Sequence, residues 1–294
     1  MKRVDRASMV VGVIWALCVA PSAFAAFVAP DLGDAAAYTL LAIPDSSDAP
    51  TLAVSSDSDV AGQLGVGPGG FYNKSGSGDV TGNVILASTA TSLNTGSGNP
   101  GNIQTGDLTS AIADALAASN AISLAALDPP TASFASITST DTITGINGVS
   151  LFAVGDLNLG GSDILTLQGA ATDFFIFHVT GVLNMSGSSK IVTSGGLLPQ
   201  NVLFHVPTTG TDIIVSASSE AVGTFLAPHR DFTLHGALVQ GRVIANDIGV
   251  TSGGEFFAFP QQPEPQPQPE PVIPEPSTAL LLGLGLLPLA RRRS

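Results

Sequence analysis

The sequence predicts a mainly β chain: a right-handed β-solenoid (β-helix) with one long α-helix packed alongside, then a Pro-rich spacer and a short apolar C-terminal helix. Three observations carry that prediction. A glycine-centred pentapeptide recurs, as VAGQL at 60–64, VTGNV at 80–84 and VQGRV at 239–243, with AVGTF at 221–225 a looser copy. Gly62 and Gly82 stand 20 residues apart, Gly223 and Gly241 stand 18 apart, and a fixed period near 20 marks a stacked coil with one turn per repeat. Runs rich in β-branched and aromatic residues, such as FFIFHV at 174–179, NVLFHV at 201–206 and RVIA at 242–245, are bounded by Gly, Ser, Asp or Pro, which is how short strands read. One stretch, 107–127, holds neither Gly nor Pro and then meets Asp128-Pro129-Pro130. A β-sandwich would share the short strands; the recurring glycine turn favours the solenoid.

Taken in order, residues 1–25 read as a secretory signal. Lys2, Arg3 and Arg6 precede an apolar run from Met9 to Ala20, a breaker at Pro21, and the small-residue site Ala23-Phe24-Ala25. Signal peptidase is expected to cut after Ala25, and the single cysteine, Cys18, leaves with the signal. A mature chain without cysteine gains nothing from disulfides.

Residues 26–260 are long enough to bury one core. They hold 17 Asp, 2 Glu, 2 Lys and 2 Arg, a net charge of about −15, and such a surface repels nucleic acid and anionic lipid. Within them the helix is expected over 107–127. Asp107 is a suitable N-cap, Leu108, Ile112, Leu116, Ser119 and Ile122 follow helical spacing, and the prolines stop it. About 20 residues at 1.5 Å each give about 30 Å, and six rungs at about 4.8 Å reach nearly the same height. The helix is therefore expected along the solenoid axis, its alanines allowing close approach. Residues 261–273 are a Pro/Gln/Glu spacer, expected to be extended polyproline.

The last segment, 274–294, joins Pro274-Glu275-Pro276 to an apolar run and to Arg291, Arg292 and Arg293. The run is short of the about 20 residues that a stable span needs. This three-part tail resembles the PEP-CTERM sorting signal. The resemblance implies transient inner-membrane association, processing by an exosortase, and delivery to the cell surface or extracellular matrix. Upstream, 165–206 (LTLQGAATDFFIFHV…NVLFHV) resembles ice-binding-like domains. SDVAGQLGVGPGG at 58–70 and GTFLAPHRDFTLHGALVQGRVIA at 223–245 are similar to choice-of-anchor A domains, a family of surface-adhesive modules. Both resemblances imply a β-solenoid flanked by one helix, with N-terminal strands closing back on C-terminal ones.

Little in the sequence points to catalysis. His178 and His205 occupy the same place in two similar strands, but no spacing suits a metal pair. HRD at 229–231 stands without the other kinase elements, and no nucleophile elbow, P-loop or dinucleotide fingerprint is present. No cofactor is expected. The acidic stretches at 45–50 and 56–60 lack the ligand spacing of a calcium loop and would hold Ca2+ only weakly. The resulting expectation is a non-enzymatic cell-surface or matrix protein, adhesive or structural, with polysaccharide as its partner. The alternative is an ice-binding protein, whose ice face would include Thr138, Thr140, Thr142 and Thr144, although no matching threonines flank the glycine turns. A polysaccharide-degrading solenoid enzyme is the outsider.

Overall fold

The computed structural model describes residues 28–46 and 48–259. The signal segment with Ala23 and Ala25, the spacer, and the sorting segment with Pro274, Glu275, Pro276 and Arg291 to Arg293 lie outside the described residues. Each turn of the chain lays down up to three short strands, and turn upon turn stacks in parallel register into three sheets, here A, B and C. Between the glycine turns the strands alternate buried and half-exposed residues, the period-2 pattern of a strand with one face in a core.

Sheet A is ten strands deep. Its order is Ala132–Ile137, 149–154, Phe174–Val179, Val202–His205, 224–227, 242–245, Leu40–Ala42, Leu64–Val66, Asn83–Leu86 and Asn102–Thr105. The sequence order therefore starts in the middle of the stack. Residues 40–105 continue the coil beyond its C-terminal rung, and the chain then returns through the helix to begin the opposite end. Arg242 fixes this join: its Nε donates to the Tyr38 carbonyl at 2.9 Å and its guanidinium also reaches the Ala36 carbonyl.

The core lies between the sheets. Phe152, Phe177, Phe204 and Phe225 stack through it with ring centroids 4.9, 5.1 and 5.0 Å apart, close to the spacing between adjacent strands. One aromatic per rung thus fills the same layer, each ring offset-stacked on the next.

The α-helix spans Thr109–Ala125, 17 residues, about 25 Å long. It lies on the outer side of sheet A, where Leu151, Ile176, Leu203, Leu226, Ile244 and Leu41 form a second apolar layer with Ala111, Ala115, Ala118 and Ile122. Asp107 accepts the Thr109 N–H at 2.8 Å, one residue ahead of the cap position at Leu108. The expected match of helix length to stack height does not hold. Ten strands in sheet A give about 43 Å at 4.8 Å per step, so the helix leaves the Phe174 and Val149 end uncovered. There Ala125, Pro129, Ile146, Val149, Leu151 and Phe174 line an apolar groove of about 880 Å3.

The many aspartates have a structural use. At the corner from sheet A to B, Asp156 accepts the N–H of Val182 at 2.8 Å, and Asp247 that of Thr51 at 2.6 Å. At the corner from B to C, Asp59 accepts from Asp79, and Asp79 in turn from Asn99, each at 2.7 Å. A corner carboxylate therefore takes a backbone donor that the turn would leave unpaired, one rung along.

Candidate functional site

The groove beside the helix has a single titratable side chain in its lining, Asp128. A lone carboxylate supplies no acid–base pair. Among the described residues no three His, Cys, Asp or Glu side chains converge as a metal would require. Asp45, in the first acidic stretch, accepts the N–H of Asp48 at 2.7 Å within its own turn.

His178 and His205 stand in register on adjacent strands of sheet A. Their Nδ1 atoms are 3.1 Å apart, and His205 Nε2 lies 2.7 Å from Ser119 Oγ on the helix. Both Ser119 and His205 are buried. Burial, with the His178 imidazole beside it, pulls the His205 pKa down to about 3, and burial lowers that of His178 as well. A neutral chain of hydrogen bonds from helix to sheet suits this arrangement, and it pins the helix in place. The sequence paired the two histidines; their partner Ser119 is separated from His205 by 86 residues and carries no local signal.

The turn glycines gather at one edge, the corner from sheet C to A. Gly223 and Gly241 are in register, and a Cβ on Gly241 would sit 1.9 Å from the Gly223 carbonyl oxygen. A Cβ on Gly82 would sit 2.1 Å from that of Gly62. Backbones approach too closely there for any side chain.

Sheet A is covered by the helix, which leaves B and C open. On sheet C the outward column nearest the corner with sheet B reads Lys190, Glu220, Leu238, Glu255 and Asp59, with Lys190 Nζ 2.6 Å from Glu220 Oε1. Thr138, Thr140, Thr142 and Thr144 are all exposed, but only Thr142 and Thr144 lie in the terminal strand of this sheet, Asp141–Thr144; Thr138 follows Ile137, which is in register with Leu157 of sheet B, and Thr140 stands in the turn between. Across to the next rung Thr142 meets Thr166, but Thr144 meets Gln168. The expected single threonine strand is therefore broken by a corner, and the repeat does not continue from rung to rung.

Sheet B differs. Its eight strands are 157–159, Leu183–Met185, Ile213–Ser216, Phe232–His235, Ile248–Thr251, Thr51–Val54, Phe71–Lys74 and Thr91–Asn94. One outward column reads Asn158, Asn184, Ile214, Thr233, Gly249, Ala53, Asn73, Leu93. Beside it Ser216, His235 and Thr251 are in register, and Ser186, Ser55, Ser75 and Thr95 continue the ladder by their N–H groups. Neither column contains Asp, Glu, Lys or Arg. The result is an uncharged plane of mostly short side chains, with Ile214, Leu93 and His235 the larger members, spaced about 4.8 Å across rungs and about 6.7 Å along each strand. Internal bonds hold several of them: Asn184 Nδ2 donates to Asn158 Oδ1 at 2.9 Å, and Thr251 Oγ1 lies 2.9 Å from His235 Nδ1. No local motif announces this plane, because its members come from eight separate stretches of sequence.

Comparison with known proteins bears on both parts of the chain. Residues 49–253 match the model of the ice-binding-like family, and residues 272–294 match the PEP-CTERM protein-sorting motif, which suggests an exported protein. An ice-binding protein of Flammulina populicola is 36% identical over 81 residues, 28% of this chain and 32% of that protein. One of Flavobacterium frigoris is 30% identical over 81 residues, 28% of each. The aligned stretch thus spans about a third of these curated relatives. Among solved structures, a glycosylated ice-binding protein from an Arctic yeast superposes with a TM-score of 0.56 at 20% identity, covering 82% of this chain and 98% of that one. An ice-binding protein domain of Shewanella frigidimarina gives 0.51 at 19%, covering 80% and 99%. These two likenesses establish the β-solenoid fold. The adhesive or matrix reading drawn from the sequence is corrected here, and its polysaccharide partner goes with it. The family match covers most of the solenoid, and both curated relatives are ice-binding proteins.

Proposed function

The chain belongs to the ice-binding-like family, and from that premise we propose that it is a non-enzymatic protein that binds the surface of ice through sheet B. The observation that carries this reading is the pair of uncharged columns, one of eight residues and one of seven, on an open sheet. Ice offers an uncharged lattice of fixed hydrogen-bonding sites. A charged side chain would have to shed its hydration there without a counter-charge, which is costly. Short Ser, Thr, Asn and Ala side chains lose little rotamer freedom on contact, and the threonines are stiff at χ1. The ladder supplies the rigidity, since its hydrogen bonds and the phenylalanine stack fix each rung before contact. Sheet C, with its glutamates and lysine, is a poorer match.

The purified chain is expected to show thermal hysteresis and to shape ice crystals. Thr233→Tyr and Asn73→Tyr, which raise bulk out of the plane, should each lower the hysteresis at least about fivefold; Gln240→Tyr on sheet C should leave it within about twofold. Absence of hysteresis, or an equal loss with Gln240→Tyr, would move the site or end the reading.

The ends of the chain support export followed by processing: signal peptidase after Ala25, and an exosortase acting at the tail that begins with Pro274-Glu275-Pro276. Intact-mass analysis of protein recovered from the native cell surface should find a chain that starts near Ala26 and lacks Arg291 to Arg293. Recovery of the arginines there would exclude processing of the tail.

A further inference from the structure

We infer that the domain works while held by its C-terminal end, with sheet B turned away from the attachment; this rests on the ice-binding reading above. The geometry points to it through the place where the chain leaves the coil. The final strand, Glu255–Phe257, lies in sheet C, paired with Asp59–Ala61. Ala258 then donates its N–H to the Ala61 carbonyl at 3.1 Å, one residue short of Gly62 in the corner from C to A. The N-terminal chain enters at the same corner, where the Thr39 N–H reaches the Gln63 carbonyl at 2.7 Å. In a three-sided coil that edge is the one opposite sheet B. Had the chain ended one strand earlier, its continuation would have emerged beside sheet B and obstructed it.

Charge adds to the same orientation. Carboxylates line both edges of sheet B, Asp156 and Asp247 at the corner with sheet A and Asp59 at the corner with sheet C, and within about a Debye length, roughly 8–10 Å, they repel an anionic surface from that side of the domain. Beyond Ala258 the sequence turns to Pro, Gln and Glu and ends in the sorting motif, the composition of a spacer and an address. Many copies held this way would bind ice with an avidity that one weak site lacks.

The test uses the absence of cysteine from Ala26 onward, which makes any introduced thiol the sole attachment point. The chain from Ala26 to Pro276 is prepared as Gln266→Cys, in the spacer, and as Ser188→Cys, at an exposed position on the corner from B to C. Thermal hysteresis of both variants is measured in solution, and each is then coupled to maleimide beads presented to a slowly growing ice front. Both free proteins should be active, and beads coupled through position 266 should be captured by ice at least about fivefold more often than those coupled through position 188. Equal capture, or better capture through position 188, with both free proteins active, overturns the inference and leaves the ice reading standing. Inactivity of both free proteins overturns the ice reading and the inference together.

Discussion

Gly241→Val is expected to lower stability by at least about 3 kcal/mol, at the high end of single-residue effects. Valine does not fit: its Cβ would lie 1.9 Å from the Gly223 carbonyl oxygen, and that oxygen is backbone, unable to swing aside. The strands carrying the two glycines pair continuously over eight registers, Glu220↔Leu238 to Ala227↔Ala245, so relief at one point would strain the others. For a domain of this size the melting temperature should fall by roughly 6–12 °C. Gly249→Ala is the control, because a Cβ there would meet only Thr233 Oγ1, at 3.9 Å; it should stay within about 0.5 kcal/mol of the parent. A thermal melt of Gly241→Val within about 2 °C of the parent, well below the shift expected for such a domain, would show that the rungs are not stacked as closely as described.

That same glycine shows what was legible in the sequence. The pentapeptide around Gly62, Gly82, Gly223 and Gly241 revealed the coil because these four rungs repeat one tight corner, and glycine stands there in each. The helix was legible for a similar local reason, an unbroken stretch closed by Pro129 and Pro130. Its partnership was less so. Ile112 and Leu116 carry the helical spacing, yet the closest contact is made by Ala111, Ala115 and Ala118, which are buried deeper. Small side chains let the helix sit near the sheet, and hydropathy patterning weights them too little to show it. The number of rungs was underestimated because strands such as Thr91–Asn94 and Asn102–Thr105, exposed throughout, have no apolar alternation to mark them.

The candidate ice plane was hidden for a different reason. A threonine run within one turn of the coil, 138–144, is visible in sequence, whereas a plane across rungs draws one residue from each of eight segments. Its members Thr233, Gly249, Ala53 and Asn73 become neighbours only after register is known. The aspartates were legible as a charge but not as a device. Their carboxylates serve rung donors at the corners, so a strongly acidic domain keeps an uncharged sheet between two acidic edges.

Acid should weaken the contact between helix and solenoid. An imidazole whose folded pKa lies below its unfolded value leaves stability intact above the unfolded pKa, near 6.5. That stability is lost as pH falls toward the folded value, about 3 for His205. The full difference corresponds to a penalty on the order of 5 kcal/mol, and His178, lowered by its burial, acts in the same direction. Asp231 and Asp247 oppose it in part: burial raises both, so protonating them as pH falls relieves a cost of the folded state. The histidine effect is expected to dominate between about pH 6 and 4. Once both imidazoles are protonated, the facing Nδ1–H groups of His178 and His205 are two donors with no acceptor between them, and two like charges stand side by side at the end of the chain that starts at Ser119. Hydrogen exchange should therefore show the amides of Thr109–Ala125 losing protection at about pH 4.5 before those of Val202–His205 and Phe174–Val179. His205→Asn should flatten the fall in melting temperature between about pH 6.5 and 4. An unchanged slope in that variant would place the acid sensitivity elsewhere, whereas a flattened slope with early helix exchange assigns it to this buried pair, the contact by which the helix is held against the stack.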